Sequence, residues 1–221
     1  MCGLPHPDEP VCHLCRPFLP FNKIFCERCG APLDARQPEG VRCASCQANP
    51  PPFTIARAPF RYSFPVDSAI KALKFDGKLY YAPALGRYLS RELMRMPPYV
   101  DALVPVPLHR GRHARRGFNQ AIELCRPLRR ASGLRMLTGV KRVRPTRPQS
   151  GLTATERRKN LRGAFAVRGP LRSRYPVIVD DVMTTGETCR QLALTLLEHG
   201  AEEVAVLSVA RSTSPPQAAA M

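Results

Sequence analysis

Tryptophan is absent from this 221-residue sequence, and aromatic residues make up only 7% of it. Proteins that hold single-stranded nucleic acid by stacking usually present several aromatic side chains. A sequence this poor in them predicts that any bound nucleic acid is held mainly through its phosphates. Binding would then depend steeply on salt and show little sequence preference.

The sequence also lacks an apolar run long enough to span a bilayer. Its first residues, MCGLPHPDEPVCHLC, lack the basic start and apolar stretch of a secretory signal. We therefore expect a cytoplasmic protein without membrane insertion, in which thiols stay reduced unless they bind metal or perform redox chemistry. The length allows one ordinary domain and a small module.

Acidic residues are scarce in one third of the chain. Between Asp101 and Tyr175, nineteen Lys and Arg stand against three acids, which gives a net charge of +16 out of a total of +17. This concentration predicts attraction for a polyanion, either nucleic acid or a small ligand with several phosphates. The alternative is a solvated basic surface, but such surfaces usually interleave both signs.

Cysteine, in contrast, is abundant at the start of the chain. Seven of the nine cysteines precede residue 47, and six of them form three C-x-x-C pairs: Cys12/Cys15, Cys26/Cys29 and Cys43/Cys46. Two residues between thiolates let both sulfurs reach one tetrahedral zinc ion, and two such pairs complete a site. The best four-thiolate set is Cys26, Cys29, Cys43 and Cys46.

A second zinc site is less complete, because Cys12 and Cys15 need both Cys2 and His6 as further ligands. The alternatives to zinc are free thiols or disulfides. Free thiols are disfavoured because the segment has too little apolar content to fold without metal. Disulfides are disfavoured in a reducing compartment. Cys125 and Cys189 fall on apolar helical stripes and are predicted to be small core residues.

Three consecutive prolines in QANPPPF (47–53) predict a stiff link, since they cannot continue a helix or a central strand. We therefore predict a zinc ribbon over 1–50, a larger domain over 51–212 and a disordered tail over 213–221. In the larger domain, periodicity predicts helices at 66–75, 79–94, 119–130 and 187–199, with strands at 102–107, 176–179 and 204–209. Alternation of strands and helices predicts an α/β fold with a mostly parallel sheet flanked by helices. The irregular stretch 139–175 is predicted to be a functional or disordered loop.

The stretch VIVDDVMTTGET (177–188) carries the clearest chemistry. An apolar strand without alternation is typical of a parallel sheet, so Asp180 and Asp181 are predicted at its carboxyl end, where ligands bind. The helix that follows offers unpaired amides and a positive dipole to a phosphate. The turn between the strand and this helix adds hydroxyls and a flexible glycine. We call it the phosphate loop, and it comprises Thr184, Thr185, Gly186 and Thr188. The carboxylates suit vicinal hydroxyls or hydrated Mg²⁺, so the parts together fit a ribose 5-phosphate.

This stretch resembles the phosphoribosyl-pyrophosphate motif of type I phosphoribosyltransferases. With CERCGAPL, PVPLHRGRHARRGFNQA and PQSGLTATERRKNLRGAF in the expected order, nearly the whole chain is similar to the ComF (competence protein F) family. In that family a zinc ribbon precedes a phosphoribosyltransferase-like domain, and some members support natural transformation, handling single-stranded DNA with a helicase partner. Relatives commonly have a further cysteine pair ahead of Cys12, where this chain has only Cys2. This departure weakens the case for the second zinc site, at Cys12 and Cys15, and leaves the four-thiolate site intact.

The resemblance implies roles for two basic segments. The first follows the strand 102–107 and resembles the pyrophosphate-binding loop; it includes His109, Arg112, His113, Arg115 and Arg116. The second, 149–162, resembles the mobile catalytic loop and matches the family pattern at Gln149, Thr153, Glu156, Arg157 and Asn160. We expect Arg157 to contact pyrophosphate, with Asp180 and Asp181 as the other catalytic residues. Arg115 and Arg116 are expected to bind phosphoribosyl pyrophosphate. The residues expected on nucleic acid are Arg112, Arg115, Arg116, Arg157, Arg158 and Lys159.

Three functions compete on this sequence. The first is a ComF-type protein of DNA uptake that binds phosphoribosyl pyrophosphate with Mg²⁺, and single-stranded DNA. The second is a salvage enzyme that joins a free nucleobase to ribose phosphate. The third is a non-catalytic zinc-ribbon nucleic-acid binder. The ribbon and the concentrated charge favour the first over the second, and the intact DD…TTG motif counts against the third.

Overall fold

One parallel β-sheet forms the centre of the fold. The computed structural model describes residues 9–38, 40–144, 161 and 163–212. Within these residues the strands are β1 Ile55–Arg57, β2 Phe60–Arg61, β3 Ala102–Pro105, β4 Arg135–Met136, β5 Val140–Arg142, β6 Phe165–Val167, β7 Pro176–Met183 and β8 Ala205–Arg211. The α-helices are α1 Ala44–Ala48, α2 Val66–Phe75, α3 Tyr81–Leu93, α4 Arg110–Arg116, α5 Gln120–Ser132 and α6 Glu187–Glu198.

The large sheet has the strand order β1-β8-β7-β3-β4, and β2 also pairs with β8. Every pairing in this sheet is parallel, whereas β5 and β6 form a separate antiparallel pair. The predicted α/β fold with a mostly parallel sheet flanked by helices is therefore confirmed.

The two central strands are apolar on both faces, which explains why helices cover both sides of the sheet. β8 is buried along its whole length, and β7 is buried at all but one position. Val177 and Val179 pack in one cluster with α2, α3 and α5, whereas Ile178 packs in a second cluster with α6. Uninterrupted apolar strands are typical of such doubly covered sheets.

Helices α3 and α5 pack closely because a glycine lies at their contact. A Cβ atom on Gly86 would lie 2.1 Å from Cγ of Pro127, whose ring is held inside α5. We expect Gly86→Ala to lower the free energy of unfolding by about 1–3 kcal/mol, the usual cost of overpacking, even though alanine favours helix. Urea unfolding measures this change.

Gly111→Ala in α4 is the matched control, since the nearest atom to its added Cβ is 3.7 Å away. This control is expected to be neutral or slightly stabilising. Equal stability of Gly86→Ala and the wild type would contradict the close contact between α3 and α5.

Three parts of the chain differ from the sequence prediction. The stretch 139–175, predicted to be a functional or disordered loop, contains the antiparallel strands β5 and β6. The strand expected to end at residue 179 extends to Met183, because β8 continues to pair with it, for example at Met183 with Arg211. The basic loop expected after the strand 102–107 contains a short helix, α4. His109 caps this helix by accepting a hydrogen bond from the Gly111 amide, and Gly117 ends it with φ of +80°.

The cysteine-rich segment packs directly against the edge of the sheet. Its Phe21 forms a β-bridge with Phe60, and the Arg61 amide donates to the carbonyl of Pro20. A Cβ on Gly30 would lie 3.1 Å from the carbonyl oxygen of Ala56, so this glycine permits the close approach. The division at residue 50 stays a prediction, and the tail 213–221 lies outside the described residues.

The described helices are too short and too polar for a bilayer crossing, since the longest, α3 and α5, have 13 residues each. Cys125 and Cys189 are both buried in the two apolar clusters. Their predicted role as small core residues is confirmed.

Candidate functional site

Four cysteine sulfurs come together in the N-terminal segment. The thiols of Cys26, Cys29, Cys43 and Cys46 lie within 4.8 Å of one another. The Sγ atoms of Cys29 and Cys43 are 3.7 Å apart. A tetrahedral zinc ion with Zn–S bonds of about 2.3 Å separates its sulfur ligands by about 3.8 Å. The geometry and the all-thiol donor set therefore fit a structural zinc ion.

The electrostatics of this cluster also suit a dication. Burial raises the pKa of Cys26, but backbone N–H groups, including that of Cys43, outweigh this effect and bring it to about 7. Burial and the neighbouring Cys26 raise the pKa of Cys29 to about 11. Burial and the neighbouring Cys29 also raise the pKa of Cys46. Four crowded thiolates repel one another, and a bound cation removes that repulsion.

The second predicted zinc site is not assembled within the described residues. Cys12 is buried and Cys15 is half-buried, but no cluster of three or more candidate ligands in the described part of the chain includes them. Cys2 and His6 lie outside the described residues. The second site therefore stays a prediction.

The paired carboxylates of the predicted ribose site lie inside β7. Asp180 and Asp181 are 8% and 2% exposed, because strand pairing continues past them. Each has a defined partner: Oδ1 of Asp180 accepts from the Asp181 amide at 2.9 Å. Oδ2 of Asp181 accepts from Nζ of Lys74 at 2.7 Å.

A polar chain connects Asp181 to the basic helix α4. Nε2 of Gln120 donates to Oδ1 of Asp181 at 3.2 Å, and a terminal nitrogen of Arg116 donates to Oε1 of Gln120 at 2.6 Å. The sequence left Lys74 undecided between this site and solvent, and the structure places it on Asp181. Gln120 was missed, because its only signal was its position at the start of α5.

The pKa values of the two neighbouring carboxyls are shifted in opposite directions. Burial and the neighbouring charge of Asp181 raise the pKa of Asp180 well above its ordinary value. Burial opposes ionisation of Asp181 as well, but the Lys74 charge and the hydrogen bonds from Lys74, Asp180 and Gln120 keep its pKa low. Burial disfavours the Lys74 cation, but the two carboxylates outweigh this and raise the pKa of Lys74. The site thus holds one strong ion pair beside a carboxyl that resists ionisation.

The phosphate loop follows β7 directly. Thr184 and Thr185 are exposed, and Gly186 has φ of +78°, a conformation that favours glycine, immediately before α6. Thr188 lies in the first turn of α6 and is half-buried. The loop therefore presents two hydroxyls at a helix N-terminus, as the sequence predicted.

A buried arginine joins this loop to the cysteine cluster. Arg211, the last residue of β8, is 6% exposed. Its Nε donates to the carbonyl oxygen of Cys29 at 3.2 Å. A terminal nitrogen donates to the carbonyl oxygens of Met183, at 3.0 Å, and Thr184. Nothing in the sequence distinguished this arginine from the others.

The basic helix α4 borders a cavity of about 960 Å³. Basic side chains from three parts of the chain line it, and none of its lining residues in the described part of the chain is acidic. The basic residues are His109, Arg110, His113, Lys141, Arg142 and Arg168. Burial and the neighbouring Arg112 lower the pKa of Arg142 to about 10. This crowding of positive charge is the electrostatic environment expected of an anion site.

Some of the other predicted basic residues lie on α4, and the rest lie outside the described residues. Arg112 and Arg116 are half-buried and Arg115 is exposed, all on α4. Of these, Arg116 reaches the carboxylate network. The segment that resembles the mobile catalytic loop lies outside the described residues, including Arg157, Arg158 and Lys159. Their roles stay predictions.

Curated relatives match most of the chain, although a scan against protein-family models found no match. DNA utilization protein YhgH of Escherichia coli K12 is 36% identical over 211 residues, which cover 91% of this chain and 90% of that protein. Competence protein F of Haemophilus influenzae is 32% identical over 200 residues and 85% of each chain. Competence protein ComFC of Streptococcus pneumoniae is 28% identical over 193 residues, covering 86% of this chain and 84% of the relative.

Among solved structures, purine phosphoribosyltransferase from Pyrococcus horikoshii is 20% identical, with a TM-score of 0.31, covering 66% of this chain and 82% of that one. A similarity at this level carries no argument about function. The family assignment rests instead on the curated relatives, which match nearly end to end, and on the four-cysteine cluster. The chain belongs to the ComF family of competence protein F.

Proposed function

We propose that this chain is a phosphoribosyltransferase-like protein that binds phosphoribosyl pyrophosphate with Mg²⁺, binds single-stranded DNA, and acts in DNA uptake. The observation that carries the proposal is the buried Asp180–Asp181 pair, connected through Gln120 to Arg116 and followed at once by the phosphate loop. Carboxylates in the last half of a parallel strand, followed by a loop and a helix N-terminus, suit a sugar that carries hydroxyls and a phosphate.

In the proposed reaction each group has one task. The carboxylates accept hydrogen bonds from the ribose hydroxyls, and the loop hydroxyls and amides bind the 5-phosphate. The bond from C1 of the ribose to pyrophosphate breaks, and an acceptor nucleophile bonds to C1. Mg²⁺ would neutralise part of the pyrophosphate charge. Arg116, with Arg157 from the predicted catalytic loop, would stabilise the charge that grows on the leaving group.

Lys74 would be released from its ion pair when a ligand takes its place on Asp181. Its Nζ lies 2.7 Å from the carboxylate that is expected to bind ribose, so the free ammonium would remain beside the substrate. There it can face the negative charge of the phosphates. We therefore add Lys74 to the residues that position phosphoribosyl pyrophosphate.

The DNA part of the proposal rests on charge and on relatives. The basic cavity beside α4 contains no acidic lining residue within the described chain. Relatives at 32–36% identity carry the names competence protein F and DNA utilization protein. A zinc ion in the four-cysteine cluster would hold the ribbon together. None of the eight described cysteines forms a disulfide, which suits a reducing cytoplasm. A transformation helicase is the proposed protein partner.

The phosphate loop provides the first test. In Thr184→Val/Thr185→Val, the loop loses two hydroxyl donors, and hydrogen bonds to charged groups contribute about 1.5–3 kcal/mol each. Calorimetric titration with phosphoribosyl pyrophosphate and Mg²⁺ is expected to show affinity at least about tenfold weaker than in the wild type. Thr195→Val, which removes a hydroxyl bonded to the Gln191 carbonyl farther along α6, is the control. Wild-type protein that binds no phosphoribosyl pyrophosphate would overturn this part of the proposal.

The same preparation distinguishes the competing functions. A salvage phosphoribosyltransferase would release pyrophosphate when a free nucleobase is added and would not bind single-stranded DNA. A non-catalytic nucleic-acid binder would bind single-stranded DNA and ignore phosphoribosyl pyrophosphate. Binding of both ligands by the wild type is the result that the proposal expects.

A further inference from the structure

A second basic groove lies between the cysteine-rich segment and helix α3. We call it the ribbon groove. It has a volume of about 1150 Å³ and is lined by six basic side chains: His13, Arg16, Lys23, Arg61, Arg91 and Arg95. The groove shares no lining residue with the cavity beside α4.

Half of these basic side chains form no ion pair within the described residues, although Arg91 and, more weakly, Arg16 lower the pKa of Glu9. Arg91 pairs with Glu9, and Arg95 pairs with Glu92. Arg16, Lys23 and Arg61 are exposed and take part in no ion pair of the described chain. Three unpaired positive charges on one groove attract a polyanion more strongly than scattered surface cations do, because their fields add.

The wall of the groove contains two buried polar atoms that lack a hydrogen-bond partner among the described residues. They are Oη of Tyr88 and Oδ1 of Asn22, on side chains that are 4% and 6% exposed. An unpaired buried polar atom costs about 1–3 kcal/mol. A phosphate oxygen could accept from Tyr88, and a nucleobase or sugar donor could bond to Asn22.

The groove also has an aromatic side. Phe21 and Phe25 are half-buried and line it. The Phe21 ring packs against Phe60, with their centroids 5.3 Å apart, which fixes its orientation. A fixed, partly exposed ring beside cations is the combination on which a base stacks while its phosphate pairs with arginine. An acidic peptide would use the cations and leave the rings unused.

We propose that the ribbon groove binds the backbone of single-stranded nucleic acid, with Arg16, Lys23 and Arg61 on phosphates and Tyr88 as a hydrogen-bond donor. This inference rests on the proposed function, because it assumes that the chain binds such a strand. It places a contact surface outside the strongly basic third of the sequence, between the cysteine-rich segment and helix α3.

The test compares two triple variants with equal loss of charge. Arg16→Gln/Lys23→Gln/Arg61→Gln removes the unpaired groove cations. Arg129→Gln/Arg130→Gln/Arg172→Gln removes three exposed cations that line neither cavity. Fluorescence anisotropy with labelled oligothymidylate gives the affinity at several salt concentrations. Each phosphate contact on a single strand contributes about 0.7 to the slope of log K against log[salt], so the groove variant should flatten the slope by about 2.

Tyr88→Phe separates binding from stability. In the free protein the hydroxyl has no hydrogen-bond partner among the described residues, so its removal should leave urea unfolding unchanged or make the protein slightly more stable. On oligothymidylate it should weaken binding several-fold. A variant that is less stable and binds as the wild type does would show that Tyr88 serves only packing, and this would contradict its role as a donor to the strand.

The outcomes separate the groove from the wider proposal. If the groove variant keeps the wild-type slope and affinity, the groove proposal is overturned, while DNA binding elsewhere stands. If wild-type protein binds no oligothymidylate at any salt, the DNA part of the proposed function fails as well. Loss of polyglutamate binding without loss of oligothymidylate binding would overturn the proposal in favour of an acidic protein segment. All variants are expected to bind phosphoribosyl pyrophosphate normally.

Discussion

Replacing Cys43 with serine is expected to abolish equimolar zinc binding and to lower the melting temperature. Cys43 supplies one of four sulfurs that lie within 4.8 Å of one another. Structural zinc sites have apparent binding free energies of about 10–16 kcal/mol, and this energy contributes to folding. Loss of one thiolate from such a site should therefore affect stability more than any other single change considered above.

The zinc content of purified protein, measured by atomic emission, and the melting temperature check this prediction. Ser45→Ala is the matched control, because Ser45 lies between two of the cysteines, is exposed and is not a candidate ligand. It should keep the metal. Equimolar zinc in both variants would show that the four-cysteine cluster is not the metal site.

The two carboxylates of β7 are expected to respond oppositely when each is replaced by asparagine. Asp180→Asn should raise the free energy of unfolding at neutral pH, because it removes a buried group whose ionisation is unfavourable. Asp181→Asn should lower it by about 2–3 kcal/mol, since Lys74 loses the negative charge it pairs with and only one acceptor oxygen remains for Lys74 and Gln120. The value lies below that of a fully buried pair because the Lys74 side chain is 29% exposed. Both variants are expected to lose binding of phosphoribosyl pyrophosphate.

The pH dependence gives the sign of each effect. The pKa of Asp180 is raised in the folded state, so its favourable contribution is complete below the unfolded-state pKa and is lost as pH rises towards the folded one. The advantage of Asp180→Asn should therefore appear as pH rises above about 4. The pKa of Asp181 is lowered, so its contribution is present above the ordinary value and is lost as pH falls through the folded pKa.

Urea unfolding between acid and neutral pH, with calorimetric titration of the ligand, measures both predictions. Equal destabilisation by the two asparagine variants would contradict the division of roles between Asp180 and Asp181. Retention of ligand binding in both would remove the carboxylates from the proposed ribose site.

Local patterns in the sequence were enough to predict the central sheet and the four-cysteine cluster. Apolar β7 and β8 predict a doubly covered parallel sheet without any long-range information, and paired C-x-x-C spacing predicts the cluster of Cys26 and Cys43. In each case the signal lies within a few residues, because strand burial and metal ligation both depend on short-range spacing.

The rest of the site depends on contacts between distant residues. The Lys74–Asp181 ion pair joins residues 107 positions apart. The sequence around Lys74 on α2 does not indicate which acid it contacts. The ribbon groove is a second example, because Lys23 and Arg61 are 38 positions apart, with three acids between them in the sequence. A segment that is nearly neutral by sequence can still fold into a positive surface, since folding sorts the charges by position in space.

Arg211 gives the molecule a property that neither of its sites has alone. One guanidinium donates to the carbonyl of Cys29, which belongs to the four-cysteine cluster, and to the carbonyls of Met183 and Thr184 at the phosphate loop. Two binding events that bias the same buried side chain are thermodynamically linked, and the linkage is reciprocal. Under the proposed function, metal binding at the four-cysteine cluster and phosphate binding at the loop would therefore be coupled through Arg211. Oxidation of the thiols would then lower the affinity for the sugar phosphate.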